Sequence, residues 1–330
     1  MKTKRLSTDI KDIETAAQLV REGKLVAFPT ETVYGLGTNA LDEKAIKSIY
    51  KAKGRPSDNP MIVHISNAEQ LPELIEGGKD GIGQDAIKLM EAFWPGPLTM
   101  IFRKSSAVPD ATTGGLDTVA IRMPSSYAAL KMIDKANIPI AAPSANLSGK
   151  PSPTTAEDVL EDMDGKIDAV IMGEQSNVGI ESTVVDLTGE TPVILRPGLI
   201  TAEWMSGVVG KPVAYDKHLL AEDEAPKSPG MKYEHYSPNA QVRLIEGDDE
   251  GFKKKALELA SAAKEDGKRA AILNYGEDCK KAAHQLFADL RELDRLKYDL
   301  ILIKTLDEDG FGFSVMNRML KSAGYDVVKE

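Results

Sequence analysis

Cysteine is almost missing from this sequence: Cys279 is the one instance in 330 residues. A lone thiol forms no intramolecular disulfide, which fits a reducing compartment. It also excludes a cysteine-rich zinc finger. Nothing around Cys279 resembles a Cys/His nucleophile pair, so it reads as inert. Long apolar runs are missing too. No stretch approaches the roughly 18 apolar residues of a membrane span. The basic start Met1-Lys2-Thr3-Lys4-Arg5-Leu6 is not followed by the apolar run of a signal peptide. The expected location is therefore the cytoplasm, with no membrane partner. Positive charge is not in excess: 41 Lys and Arg against 51 Asp and Glu leave a net charge of −10. That argues against coating nucleic acid by bulk electrostatics. Walker P-loops, Rossmann glycine fingerprints and G-x-S-x-G elbows are also lacking.

What remains is a chain able to fold. Hydrophobic residues make up 42% and charged residues 28%, and the length suits two domains. Residues 8–23 read as a helix capped by Thr8 or Asp9, with Ile10, Ile13, Ala17 and Val20 on one face and Gly23 at its end. Leu25 to Phe28 suits a buried strand. Pro29 to Gly37 reads as a loop of small and hydroxyl residues. A helix over 42–51 ends at Gly54, before Pro56. Further strands are expected at 61–65, 98–103, 118–123, 138–142, 169–172, 182–187 and 192–196, and helices at 84–93, 126–136 and 155–163. The last two strands flank Thr188-Gly189-Glu190-Thr191, a hairpin signal that predicts a mixed sheet. Residues 217–238 hold an acidic and Pro-rich stretch without periodicity and read as a linker. After it the pattern restarts as a βαβαβα unit over 239–330. The fold class is thus α/β: a twisted mixed-sheet domain over 1–216, then a smaller Rossmann-like domain.

Four loops carry chemistry-bearing residues. Lys51 to Pro60 places Lys53 and Arg55 around Gly54. Lys offers a compact charge and Arg a planar fork for phosphate oxygens. A solvated helix C-terminus explains the same residues equally well. Ala141 to Ser152 offers Ser144, Asn146, Ser148 and Ser152 as donors, or as self-capping turn residues. Glu181 to Asp186 and Leu195-Arg196-Pro197-Gly198 complete the set, and a surface salt bridge is the plain alternative for Arg196. His64 sits in a strand pattern and Trp94 in a Pro/Gly segment; both suit packing. Read one by one, these loops imply an α/β enzyme with a phosphate site and no more.

Taken in order, they resemble one family. Phe28-Pro29-Thr30-Glu31-Thr32-Val33-Tyr34-Gly35-Leu36, Lys53-Gly54-Arg55-Pro56, Trp94-Pro95-Gly96-Pro97-Leu98-Thr99, Arg122-Met123-Pro124, Ala142-Pro143-Ser144-Ala145-Asn146-Leu147-Ser148-Gly149, Glu181-Ser182-Thr183-Val184 and Leu195-Arg196-Pro197-Gly198 look like the YrdC-type threonylcarbamoyl-AMP synthases. The segment Ser228 to Pro238 and the ending Met316-Asn317-Arg318 resemble the longer, two-domain members. The resemblance implies synthesis of threonylcarbamoyl-AMP and pyrophosphate from L-threonine, bicarbonate or CO2, and ATP. It implies a downstream transferase that modifies the adenosine beside the tRNA anticodon. Carried over by motif, Lys53, Arg55, Ser144 and Asn146 form the catalytic set. Arg55, Asn59, Thr118, Ser144, Ser152, Arg196 and Tyr236 are the ATP contacts, with the linker as a lid. Thr32, His64, Arg122, Ala142 and Ser182 are the threonine contacts. Mg2+ is expected with the triphosphate, and no protein ligand is assigned to it. Two other readings stay open at this point: an RNA-binding module that contacts tRNA without catalysis, and a related carbamoyl-nucleotide enzyme of the hydrogenase-maturation type.

Overall fold

The computed structural model describes residues 2–220 and 236–330, so residues 221–235, most of the expected lid, lie outside the described residues. The described residues of Met1–Ser148, Pro153–Asn177 and Glu181–Lys232 form one unit. Those of Gly149–Ser152, Val178–Ile180 and Tyr233–Glu330 form the other. Membership of the two short segments follows packing, not chain order.

The first unit is built on eleven strands: β1 (Lys4–Leu6), β2 (Val26–Phe28), β3 (Gly35–Asn39), β4 (Ile62–His64), β5 (Leu98–Arg103), β6 (Thr118–Arg122), β7 (Ile140–Ala142), β8 (Ala169–Ile171), β9 (Thr183–Asp186), β10 (Val193–Arg196) and β11 (Ala214–Tyr215). They lie in the order β1-β8-β2-β3-β7-β4-β6-β5-β9-β10-β11. The sheet is mixed: β4 runs parallel to β6 and antiparallel to β7, and β9 and β10 form the antiparallel hairpin. One expectation fails at Gly35–Gly37, which is strand β3 and not loop. Glycine there serves close strand contact. A Cβ on Gly37 would sit 2.7 Å from both the Ile140 side chain and the Phe28 ring.

The helices follow their apolar spacing. Helix Ile10–Arg21 buries Ile13, Ala16, Ala17 and Val20, while Ile10 is exposed. Asp9 occupies its N-cap position without a side-chain cap bond. Helix Glu43–Lys53 starts at Asp42, whose carboxylate accepts from the amides of Lys44 and Ala45, and stops at Gly54 in the left-handed region (φ 62°). It ends at Gly54 as expected, so Lys53 is its last helical residue.

Strand alternation splits the sheet into two faces. Ala27, Leu36, Val63, Met100, Ile121, Ala141, Val185 and Ile194 share one buried core. On the other face Val26, Phe28, Ile140, Ala142, Ala169 and Ile171 pack with helices Ile10–Arg21 and Tyr127–Ala136. Further along that same face Ile62, Thr118, Ala120, Ile101 and Val184 are only half-buried. Half of one face is therefore open.

The second unit carries β12 (Gln241–Glu246), β13 (Ala270–Leu273), β14 (Leu300–Lys304) and β15 (Val327–Lys329), all parallel, in the order β13-β14-β12-β15. Helices Asp249–Glu265, Cys279–Arg295 and Phe311–Ser322 make the crossovers that parallel strands require. The expected βαβαβα unit is present, with β15 as an added last strand. No helix among the described residues is long and apolar enough to cross a membrane.

Candidate active site

Residues paired across adjacent strands point to the same face. Register therefore gathers distant side chains into rows on the open half of the sheet. One row reads Ile140, His64, Arg122, Thr99, Val184 and Arg196. The next, about 7 Å along the strands, reads Ala142, Ile62, Ala120, Ile101 and Asp186. Thr118 lies one row further, opposite Arg103. The first row is polar, and the second is a floor of small and apolar groups in its central part.

Arg122 dominates the first row. It is 3% exposed. Its Nε donates to the Gly96 carbonyl at 3.2 Å, and Nη1 donates to Thr32 Oγ1 at 2.9 Å. Thr32 is set by a turn in which Thr30 Oγ1 accepts from the amides of Thr32 and Val33. Arg122 Nη2 lies 2.7 Å from Glu31 Oε1. Their contact is an ion pair only, since neither atom has an aligned hydrogen-bond partner among the described residues. A buried, forked guanidinium is the group type that recognises carboxylates, and here it already faces one, Glu31.

His64 stands beside Arg122 on the neighbouring strand, its Nδ1 3.2 Å from the Ile62 carbonyl. Burial, and then the charge of Arg122, lower its pKa to about 3, against backbone hydrogen bonds to Ile62 and Ile140 that pull it up. It is a neutral imidazole at physiological pH. On the other side of Arg122, Thr99 Oγ1 and Ser182 Oγ are 2.8 Å apart. Arg196 donates through Nε to the Ser182 carbonyl at 3.0 Å and through Nη2 to Ser182 Oγ at 3.1 Å. Thr32 is thus bonded to one member of the row, Arg122, and Ser182 to two others, Thr99 and Arg196. Thr99 and Glu31 were not among the expected site residues, although both lie in motifs that carry the resemblance. Only strand register shows that Thr99 faces Arg122. Trp94 is a packing residue, its Nε1 donating to the Leu98 carbonyl at 2.7 Å.

The loop after β7 carries the second cluster. It prolongs pairing with β3 through a bridge between Gly35 and Ser144. Lys53, 2% exposed, reaches it from the buried face of its helix. Its Nζ donates to the carbonyls of Ser144 and Asn146, both at 2.5 Å, with Asn146 Oδ1 at 3.5 Å. Ser144 Oγ donates to Asn146 Oδ1 at 2.5 Å. Three of the four expected catalytic residues are therefore one hydrogen-bonded group. Arg55, half-buried, donates through Nη2 to the Pro60 carbonyl at 3.0 Å and through Nε to the Asn59 carbonyl at 3.4 Å. Tyr50 donates to that same Asn59 carbonyl at 3.0 Å, so the turn before β4 is tied from two sides. Ala142 is buried beside Ile62 at the start of the loop.

Ser152 and Tyr236 belong to the second unit. Ser152 is buried there, and the Tyr236 ring stacks on Phe287 with centroids 5.1 Å apart. Among the described residues no three His, Cys, Asp or Glu side chains gather as a metal site would need. Burial raises the pKa of the Cys279 thiol.

A family model described as "Telomere recombination" matches residues 18–198, and one described as "Threonylcarbamoyl-AMP synthase, C-terminal domain" matches residues 200–324. The threonylcarbamoyl-AMP synthase of Pyrococcus abyssi is 48% identical over 332 residues, covering 96% of this chain and 95% of that protein. That of Bacillus subtilis is 43% identical over 355 residues and covers both chains completely. The solved structure of P. abyssi Sua5 complexed with L-threonine superposes with a TM-score of 0.92 at 45% identity, over all of both chains. Motifs, two-unit fold and full-length similarity agree: the chain belongs to the threonylcarbamoyl-AMP synthase family.

Proposed function

We propose that this chain makes L-threonylcarbamoyl-AMP and pyrophosphate from L-threonine, bicarbonate or CO2, and ATP. The observation that carries the proposal is that one sheet holds both the buried Arg122 fork and strand β7, from which the loop of the Lys53–Ser144–Asn146 cluster leaves, Arg122 standing one row from Ala142, the residue that leads into that loop. The L-threonine complex of the P. abyssi relative supports it.

In this reading Arg122, Thr32 and Ser182 hold the threonine carboxylate and its neighbours, while neutral His64 offers a ring nitrogen without adding charge. The amine adds to CO2 and loses a proton, giving a carbamate. A carbamate oxygen then attacks the α-phosphorus of ATP, and the bond to the bridging oxygen breaks to release pyrophosphate. Carbamate and triphosphate are both anions. Two unit charges about 4 Å apart interact by roughly 4 kcal/mol at an effective dielectric of 20. Fixed cations offset that repulsion, and positioned donors stabilise charge developing at phosphorus. Arg55, Asn59, Thr118, Ser144 and Arg196 are the proposed nucleotide contacts. Lys53 contributes through the loop it holds as well as through its charge. ATP enters as its magnesium complex, the ion keeping phosphate oxygens and waters as main ligands. The product then goes to a transferase acting on the adenosine beside the tRNA anticodon.

The test is pyrophosphate release by the full chain with ATP, threonine and bicarbonate. Release should require both co-substrates. Turnover that persists when either is withheld sinks the proposal.

A further inference from the structure

One helix of the second unit meets two segments that the sequence marks as site-bearing and a glycine just ahead of a third. In helix Cys279–Arg295, positions 283, 287 and 291 are four residues apart and share one face. Arg291, 3% exposed, donates through Nε and Nη2 to the Pro151 carbonyl at 3.1 and 2.6 Å. Phe287 stacks on Tyr236, and the Ser237 amide donates to the Gly149 carbonyl at 2.9 Å. Ala283 lies under Gly179 (φ 87°), where a Cβ would stand 2.2 Å from the Ala283 carbonyl oxygen. Pro151 ends the loop that begins with Ser144 and Asn146. Gly179 stands three residues before Ser182.

We infer that this helical face is a positioning element for the site loops, and that Arg291 is the positioning residue for the loop carrying Ser144 and Asn146. The helix holds Pro151 and Gly179, which stand five residues after Asn146 and three before Ser182 in the chain. This rests on the proposed reading of those loops as nucleotide-binding and threonine-binding. The physical logic is preorganisation. A buried, forked cation on one carbonyl defines the loop's path, and a ligand then need not order it. Gly179 permits a backbone approach that any side chain prevents.

The experiment compares wild type, Arg291→Ala, Arg291→Lys, Gly179→Ala and Leu302→Ala in the full chain. Leu302 is a buried strand residue of the second unit's core and serves as the control for general destabilisation. Amide exchange over 144–152 should rise in Arg291→Ala by roughly ten- to a hundredfold, the factor expected for lost hydrogen bonds to a charged group. The KM for ATP should rise while the KM for threonine holds, and Lys at 291 should restore part of both. Gly179→Ala should instead raise the KM for threonine. Unchanged exchange in Arg291→Ala overturns the inference, and so does the same pattern in Leu302→Ala at equal loss of thermal stability. Exchange is read without turnover, so failure of the synthase reading shows separately, as wild-type pyrophosphate release that does not need threonine.

Discussion

His64 offers a test in which two physical effects oppose each other. Its nitrogens meet backbone partners at Ile62 and Ile140, an arrangement that favours the imidazolium. Complete burial and the adjacent Arg122 charge favour the neutral ring, and they prevail, lowering the pKa to about 3 from an ordinary 6.5. The sign follows from linkage. Between the folded and unfolded pKa values the unfolded chain binds a proton that the folded chain does not, so stability falls as pH drops below 6.5. One proton is worth about 1.4 kcal/mol per pH unit, so His64 should cost the fold about 2 kcal/mol between pH 7.5 and pH 5. The chain has four histidines, so nitrogen-15 NMR can follow each ring, with His64→Gln assigning the signal. The His64 ring should keep neutral shifts from pH 8 down to pH 5. Thermal stability of wild type relative to His64→Gln should decline over the same range. A His64 midpoint near 6.5 or above would show that the hydrogen bonds outweigh burial, and the account of the first row as one in which the arginines carry the positive charge and His64 carries none would fail.

Arg122→Lys keeps the charge and loses the planar fork. Threonine affinity by calorimetry should weaken by roughly ten- to a hundredfold, and undiminished affinity would remove Arg122 from the carboxylate site. Gly54→Ala meets no neighbour within 4 Å but must hold φ 62°. The cost is backbone strain of about 1–2 kcal/mol, seen as a Tm lowered by a few degrees and partly restored by Asn at 54. Wild-type stability in Gly54→Ala would refute the helix-end assignment.

Elements with several turns or alternations of signal were legible in the sequence. Helix 84–93 and strand 98–103 stand at their expected bounds because apolar spacing alone defines them. β1 and β15, three residues each near the chain ends, offer no repeat to read. β3 was hidden because Gly35 and Gly37 signal a turn, and their purpose is visible only once Phe28 and Ile140 are packed against them. The site was legible as a set of residue types, and its wiring was not. Lys53 reads as a phosphate cation at a helix end. The helical spacing Ile46, Ile49, Tyr50, Lys53 places it on the buried face, where the loop carbonyls wait. Glu31 and Thr99 depend on contacts between residues about 90 and 20 positions apart in sequence, across pairings that no local pattern encodes.

Register also explains why core and site stabilise one another. On β4 and β6, Val63 and Ile121 face the buried core, while His64 and Arg122 face the open side. A slip of one residue exchanges these sets, placing a guanidinium in an apolar core and two branched side chains on the open face. Burying an unpaired charge costs several kcal/mol, more than a three-residue strand gains from its ladder bonds. The ion pair with Glu31 and the bonds to Gly96 and Thr32 are available in one register only. The apolar residues therefore select the register from below and the arginine from above. Its cost once displaced makes Arg122 part of what specifies the fold as well as part of what the fold presents.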